Sequence, residues 1–282
     1  WNEANAKDLS NLFKILYGNG KSNDFNHNFS LGYNKNLTKY SQLGIWAGRA
    51  QRSGSLTERF INRFVVGIDA YELIGNPKIK PETNNQIDVI YTYKKENVFF
   101  QTDIFYSYLQ DYISGIIVPI KPYSMSSPGT RQFQNIDKSF KIGVESRFNW
   151  KFSPNYRTEL AAAYTYAEDL KTNNPLPEIA PLDFRWSIIA EYSKINLGIK
   201  YRFSAVQNRI NPNFGELKTK DFSVFDFNAR YKFHKTTVFT FNVTNLFNRA
   251  YSEHLSRAYS DNKTQRILAV GRSFNFGLGY TF

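Results

Sequence analysis

Ser273-Phe274-Asn275-Phe276-Gly277-Leu278-Gly279-Tyr280-Thr281-Phe282 places five large apolar side chains at every second position, with small or polar residues between them. A helix would scatter those five around its circumference, whereas an extended strand puts them all on one face. Moving outward from that stretch, the same rhythm recurs. Phe140, Ile142, Val144, Phe148, Trp150 and Phe152 alternate with Lys141, Gly143, Glu145, Arg147, Asn149 and Lys151. Ile195, Leu197, Ile199, Tyr201 and Phe203 alternate with Asn196, Gly198, Lys200, Arg202 and Ser204, and Phe225, Phe227, Tyr231 and Phe233 with Asp226, Asn228, Arg230 and Lys232. Weaker versions run through 27–37, 41–52, 85–94, 98–113, 156–168, 183–192 and 236–247, for eleven expected strands.

Composition narrows the class. The 282 residues include 25 Phe, 19 Tyr and 4 Trp but a single Met and no Cys, a bias toward β-structure. Without Cys there is no disulfide framework, thiolate metal site or cysteine nucleophile. No run approaches the roughly 18 apolar residues of a membrane helix. A mean hydropathy of −0.49 still suits a membrane barrel, because barrel strands are apolar only at alternate positions. The net charge is +12, yet Lys and Arg are spread along the chain with no run of about five or more, which argues against a nucleic-acid partner. The chain starts at Trp1, and its first thirty residues hold no basic segment followed by an apolar one, so no signal peptide is expected there.

The connections alternate as well. Short polar breaks at 38–40, 95–97, 153–155, 193–194 and 234–236 suit tight hairpins. Longer connections at 53–84, 118–135, 169–183, 207–221 and 250–266 are rich in Pro, Gly, Asn and charge. Short turns at one edge and long loops at the other is the arrangement of outer-membrane barrels, and strands of about 9 to 11 tilted residues suffice to cross. Trp150 and Phe152, and Tyr231 and Phe233, sit beside short turns as interfacial aromatics. The charged face is too polar for a sealed sandwich core and is expected to line a wet lumen or to face a plug. Eleven is an odd count, whereas single-chain bacterial barrels have even ones. The chain is therefore expected to lack N-terminal strands, with 27–282 as barrel and 1–26 as an extracellular loop or irregular lead-in holding Leu9, Leu12, Phe13, Ile15 and Leu16.

On these residues the chain resembles a family. Asn242-Val243-Thr244-Asn245-Leu246-Phe247-Asn248-Arg249-Ala250-Tyr251, then Gly271-Arg272-Ser273-Phe274 and a terminal Tyr280-Thr281-Phe282, resemble the carboxyl-terminal signature of TonB-dependent outer-membrane receptors. Arg52-Ser53-Gly54-Ser55-Leu56-Thr57-Glu58-Arg59-Phe60, Gly75-Asn76-Pro77-Lys78-Ile79-Lys80-Pro81-Glu82 and Phe105-Tyr106-Ser107-Tyr108-Leu109-Gln110-Asp111-Tyr112-Ile113 resemble further motifs of the same barrels. The resemblance implies an all-β, transmembrane, antiparallel up-and-down barrel, of which these strands form the carboxyl-terminal half of 22 closed by a plug. It implies outer-membrane uptake of a metal ion, metal chelate, siderophore or similar scarce solute, energised by the TonB-ExbB-ExbD complex. Tyr251-Ser252-Glu253-His254-Leu255-Ser256-Arg257 further resembles a loop of a copper-receptor-like branch.

Candidate site residues follow. Arg59, Tyr123, Arg131 and His254 lie in the expected outer loops and are candidates for substrate contact. Met125 and His254 are candidates for a metal, since copper(I) favours Met and Cys donors and Met125 is the one such residue in the sequence; each has the competing reading of an ordinary loop residue. No resident cofactor is expected. For Arg52, Arg59, Lys78, Lys80, Lys121 and Arg131, contact with anionic lipopolysaccharide is as good a reading as substrate capture. Strand charges such as Glu145, Arg147, Lys200 and Arg202 read first as lumen-wall pairs and second as an electrostatic lining. By the resemblance Tyr280 and Phe282 belong to the signal read by the barrel-assembly machinery. No catalytic pattern is present, and neighbours such as Ser252, Glu253 and His254 point in different directions, so the chain is not expected to be an enzyme. The alternatives that stay open are a passive porin, an outer-membrane hydrolase and, from another class, a soluble nucleic-acid-binding β-protein.

Overall fold

The computed structural model describes residues 2–5, 14–15, 20–64, 69–125, 127–256 and 266–282. Its strands are β1 (Asn2–Asn5), β2 (Lys21–Asp24), β3 (Phe29–Asn36), β4 (Ser41–Arg52), β5 (Asn62–Phe64), β6 (Glu72–Ile74), β7 (Glu82–Lys95), β8 (Val98–Val118), β9 (Thr130–Ser153), β10 (Tyr156–Asp169), β11 (Asp183–Glu191), β12 (Ile195–Ser204), β13 (Phe222–His234), β14 (Thr237–Thr244) and β15 (Ser273–Tyr280), with one short helix, α1 (Leu56–Phe60). Eleven of these strands form one antiparallel path in the order β3, β4, β7 and on to β15, matching the eleven alternating segments of the sequence. No described helix is long and apolar enough to cross a membrane.

Register explains the alternation. Tyr33, Ile45, Val89, Ile104, Val144 and Tyr164 stand in one row across six strands. Ile188, Ile199, Phe227, Val243 and Phe274 continue a row across five more. Apart from Val243, which is 3% exposed, these rows stay accessible, and along the same face Leu31 reaches 78% and Phe276 80%. An apolar belt of that extent is far larger than a soluble monomer carries and requires an apolar surrounding. The opposite face carries Asp88, Asp103, Glu145, Arg147, Arg185, Lys200 and Asp226, and the long loops fold over it. Phe222 is buried against Tyr251, ring centroids 4.2 Å apart, and Leu109, Ile136, Ala167 and Leu176 form a buried cluster there. The loop-covered polar face is the interior of a barrel wall.

Several boundaries differ from those expected. The β8–β9 hairpin continues to Val118 and Thr130, so the connection expected at 118–135 narrows to 119–129. Twenty-one residues of β8 reach roughly 70 Å at about 3.3 Å per residue, well beyond a bilayer core of about 30 Å. At Asp111 the backbone turns left-handed, with φ 54°, and the alternation is rephased there: Leu109 and Tyr112, three residues apart, both pack on the buried cluster. The connection expected at 53–84 contains α1, β5 and β6, and β6 adds to β9 in parallel, Glu72–Ile74 beside Thr130–Gln132. Within the lead-in, β1 and β2 pair antiparallel and Ile15 is exposed; Leu9, Leu12, Phe13 and Leu16 lie outside the described residues.

The quoted motifs are folding devices. Ser55 Oγ accepts from the Glu58 N–H (3.2 Å) while Glu58 Oε2 accepts from the Ser55 N–H (2.7 Å), a reciprocal cap at the start of α1. Arg52 holds Glu58 (2.8 Å) and Glu82 (2.9 Å), tying that cap to β7. Gly75 lies against the end of α1; a Cβ there would meet backbone atoms of Arg59 and Phe60 at 2.5–2.6 Å. Asn245, with φ 51°, folds the chain inward after β14: its N–H donates to Asp226 Oδ1 (2.8 Å), its Nδ2 to the Arg249 carbonyl (2.9 Å), and its Oδ1 accepts from the Arg249 N–H (2.8 Å).

Candidate functional site

At the long-loop end, residues far apart in sequence meet in a buried ionic cluster. Arg131, at the start of β9, is 1% exposed. Its Nη1 donates to both Asp69 oxygens (2.9 and 3.1 Å) and its Nε to the Phe214 carbonyl (2.7 Å). Its guanidinium lies between the Tyr71 ring (4.1 Å) and the Phe214 ring (3.9 Å), where the flat cation gains from both π faces. Beside it, His254 Nε2 pairs with Glu216 Oε1 (3.1 Å) and Nδ1 with Thr219 Oγ1 (3.0 Å). Glu216 also accepts from the N–H groups of Glu178 (2.8 Å) and Asn211 (3.0 Å). Burial pushes the Glu216 carboxyl up, but the His254 contact and those two N–H donors outweigh it and hold it below the ordinary carboxylate value. Arg131, Asp69, Glu178, Glu216, His254 and Arg266 line one small cavity of about 10 Å³, room for a single water at most. The cluster joins the connections 53–81, 170–182, 205–221 and 245–272 into one cap.

Two further clamps fix the cap to the wall. Arg59 is 1% exposed and donates to the carbonyls of Gly54 (3.1 Å), Pro77 (3.0 Å) and Ile79 (3.0 Å) and to Asp24. On the interior wall, Arg202 binds Asp183 (2.6 Å) through Nε and Glu253 through Nη1 (2.6 Å) and Nη2 (3.1 Å), a bidentate pair linking β12 to the last long loop. Beneath the loops the wall is indented. A cavity of about 580 Å³ is lined by Arg147, Arg185, Lys200 and Asp226, with Ala161 leaving the space between them.

The structure therefore sorts the sequence candidates. Arg131 and His254 come together in the buried cluster. Arg59 is buried in a separate clamp. Tyr123 and Met125 stand exposed, at 86% and 104%, on the connection 119–129, whose backbone is held by Glu72 accepting from the N–H groups of Tyr123 (3.0 Å) and Ser124 (2.5 Å). Both His254 nitrogens already have partners, and among the described residues no group of three His, Cys, Asp or Glu side chains is arranged to hold a metal. Ser252, Glu253 and His254 diverge, to the Arg266 carbonyl, Arg202 and Glu216 respectively. Tyr280 and Phe282 project outward at the short-turn end, both exposed. Sequence reasoning missed Asp69, Glu72, Glu216 and Thr219. Asn211-Pro212-Asn213-Phe214-Gly215-Glu216 does announce a turn, with Gly215 at φ 72°, but not its partners.

Comparisons with known proteins agree with this geometry. The family model described as "TonB dependent receptor-like, beta-barrel" matches residues 1–246. Among solved structures, the copper transporter OprC superposes with a TM-score of 0.80 at 25% identity, covering 94% of this chain and 41% of that one. The ferric enterobactin receptor PfeA from Pseudomonas aeruginosa, as its G324V mutant, gives 0.67 at 15% identity, covering 90% and 40%. The siderophore receptor PirA from Acinetobacter baumannii gives 0.66 at 18% identity, covering 90% and 41%. The chain thus spans about two fifths of the length of these solved receptors. No curated protein sequence matches it.

Proposed function

We propose, since the chain belongs to the TonB-dependent-receptor-like β-barrel family, that it is the outer-membrane wall and outer mouth of a receptor importing a scarce metal ion or metal chelate. The observation that carries this reading is the cap of long loops locked over a charged interior face, while the outward face is a continuous apolar belt. Such a wall suits outer-membrane lipid outside and a filled, polar lumen inside. Uptake through it is driven from the inner membrane by the TonB-ExbB-ExbD complex. In this reading the buried Arg59, Arg131 and His254 hold the loops, and the exposed Tyr123 and Met125 meet the solute. Met125 offers a soft donor to a metal cargo; His254 joins it only by releasing Glu216 or Thr219. Exposed Lys78, Lys80 and Lys121 contact anionic lipopolysaccharide, and Tyr280 and Phe282 serve recognition by the barrel-assembly machinery.

The test is growth and metal accumulation in a host lacking the gene, under copper limitation and under iron supplied as chelate. Restoring the intact gene is expected to restore uptake of one metal, and deleting TonB to abolish it. Uptake that persists without TonB would identify a passive pore and overturn the proposal.

A further inference from the structure

The longest strands of the wall, β8 with 21 residues and β9 with 24, carry their connection 119–129 farthest beyond the membrane, and that connection is built as a stiff piece. Pro119, Pro122 and Pro128 fix φ at three positions. The Ile120 N–H donates back to the Val118 carbonyl (2.8 Å), and the Ser127 N–H to the Ser124 carbonyl (3.1 Å). Between these two turns the successive N–H groups of Tyr123 and Ser124 converge on a single carboxylate: Tyr123 donates to Glu72 Oε2 (3.0 Å) and Ser124 to Glu72 Oε1 (2.5 Å).

Glu72 reaches the connection from outside the hairpin. It lies on β6 in parallel register with Thr130 and is 3% exposed. Its own N–H donates to the Gly129 carbonyl (3.2 Å) and to Ser127 Oγ (3.1 Å), and Ser127 Oγ donates in turn to the Gly129 carbonyl (2.7 Å). One residue thus ties both limbs of the connection to β6. A carboxylate suits the task because both of its oxygens accept and neither carries a competing donor, and hydrogen bonds to a charged acceptor are the stronger ones. The side chains on this clasped backbone nevertheless turn to solvent, with Tyr123 and Met125 on either side of Ser124 and among the most exposed apolar residues of the chain. The clasp therefore adds little core burial. Its effect is to fix where two side chains stand before anything binds them, which removes the cost of ordering the loop at that moment. The gain is largest for Met, whose unbranched side chain is flexible enough without a moving backbone beneath it.

We infer that Glu72 is a positioning residue of the outer mouth: it presents Tyr123 and Met125 to the solute in a fixed arrangement and so sets the affinity of capture. The inference rests on the reading of Tyr123 and Met125 as solute contacts. The test is initial-rate uptake of copper chloride and of iron as its citrate and tris-catecholate complexes, all radiolabelled, by cells carrying the full-length receptor, with surface level and heat-modifiable mobility checked for each variant. For the probe that is imported, Glu72→Gln, which turns an amide NH2 toward one of the two N–H donors, should raise the half-saturating concentration about three- to tenfold and leave the maximal rate unchanged. Chymotryptic cleavage after Tyr123 should quicken in the same variant. Tyr123→Ala with Met125→Ala should also raise the half-saturating concentration, and adding Glu72→Gln to that pair should raise it no further, because a residue acting only through those two side chains has nothing left to position. If Glu72→Gln does not fold, Ser127→Ala, which removes the second tie between β6 and the connection, takes its place in the same comparison. An unchanged half-saturating concentration, a fall in maximal rate alone, or an additive loss in the triple variant overturns the inference and leaves the solute reading of Tyr123 and Met125 standing. No effect of the Tyr123→Ala and Met125→Ala pair, or no import of any probe, overturns that reading and the inference with it.

Discussion

Replacing Arg131 with Met is the most informative single perturbation of the loop cap. The substitution keeps much of the stem but removes a guanidinium that is 1% exposed, two contacts to Asp69, one to the Phe214 carbonyl, and the stacking between Tyr71 and Phe214. Asp69, itself 4% exposed, would be left without its cation. Breaking one side of a buried pair costs about 3–5 kcal/mol, and the lost ring contacts on a desolvated cation add about 1–2 kcal/mol. All of it falls on side-chain contacts between the start of β9 and the loops packed on it, none on the backbone hydrogen bonds of the strand ladder. The expected result is a cap that opens on a barrel that stays folded: residues 69–81 and 205–221 become sensitive to limited proteolysis while heat-modifiable mobility is retained. Asp69→Leu combined with Arg131→Met should recover most of the protection, because replacing both members of a buried pair by apolar groups is close to neutral. Unchanged proteolysis in the single variant, or a double variant as sensitive as the single, would refute the view that this pair locks the loops.

Three further outcomes are expected. Because the folded-state carboxyl of Glu216 lies below its ordinary value of 4.5, its contribution to cap stability is full above that value and is lost as pH falls through the depressed one; proteolysis of 205–221 should rise below about pH 4, and Glu216→Gln should flatten that rise. Asn245→Gly keeps the left-handed turn but loses three side-chain hydrogen bonds, about 1.5–4.5 kcal/mol, and Asn245→Ala adds about 1 kcal/mol of backbone strain, so urea titration should rank wild type above Gly above Ala. Ile199→Lys puts a charge on the outward belt and should cost about 2–4 kcal/mol in folding into lipid vesicles, whereas Lys200→Gln, one residue along on the interior face, should cost much less; equal costs would contradict the assignment of faces.

Much of the fold was legible because a strand's two faces are written locally. Ile142, Val144 and Phe148 alternate with Gly143, Glu145 and Arg147 whatever the rest of the chain does, so strand number, inward and outward sides, and the sorting of short turns from long loops all follow from period two. The stretches holding Asn245 and Ser55–Glu58 stand out in sequence only through their resemblance to a family; that they form a left-handed turn and a helix cap, with Asp226 and Arg52 as partners, came from the structure. The interior of the loops was not legible. Arg131 and His254 stand out as polar loop residues, a pattern that fits solute capture as well as burial, and their partners Asp69 and Glu216 lie 62 and 38 residues away.

Alternation of oily and polar side chains alone fixes a membrane-wall sheet and its inside, since each strand must satisfy lipid on one flank at every second residue. Which cations are spent as structural clamps, and which carboxylate holds a distant loop in place, was decided only by tertiary structure. Charge burial depends on how several loops close over one face, and no local rhythm encodes that closure.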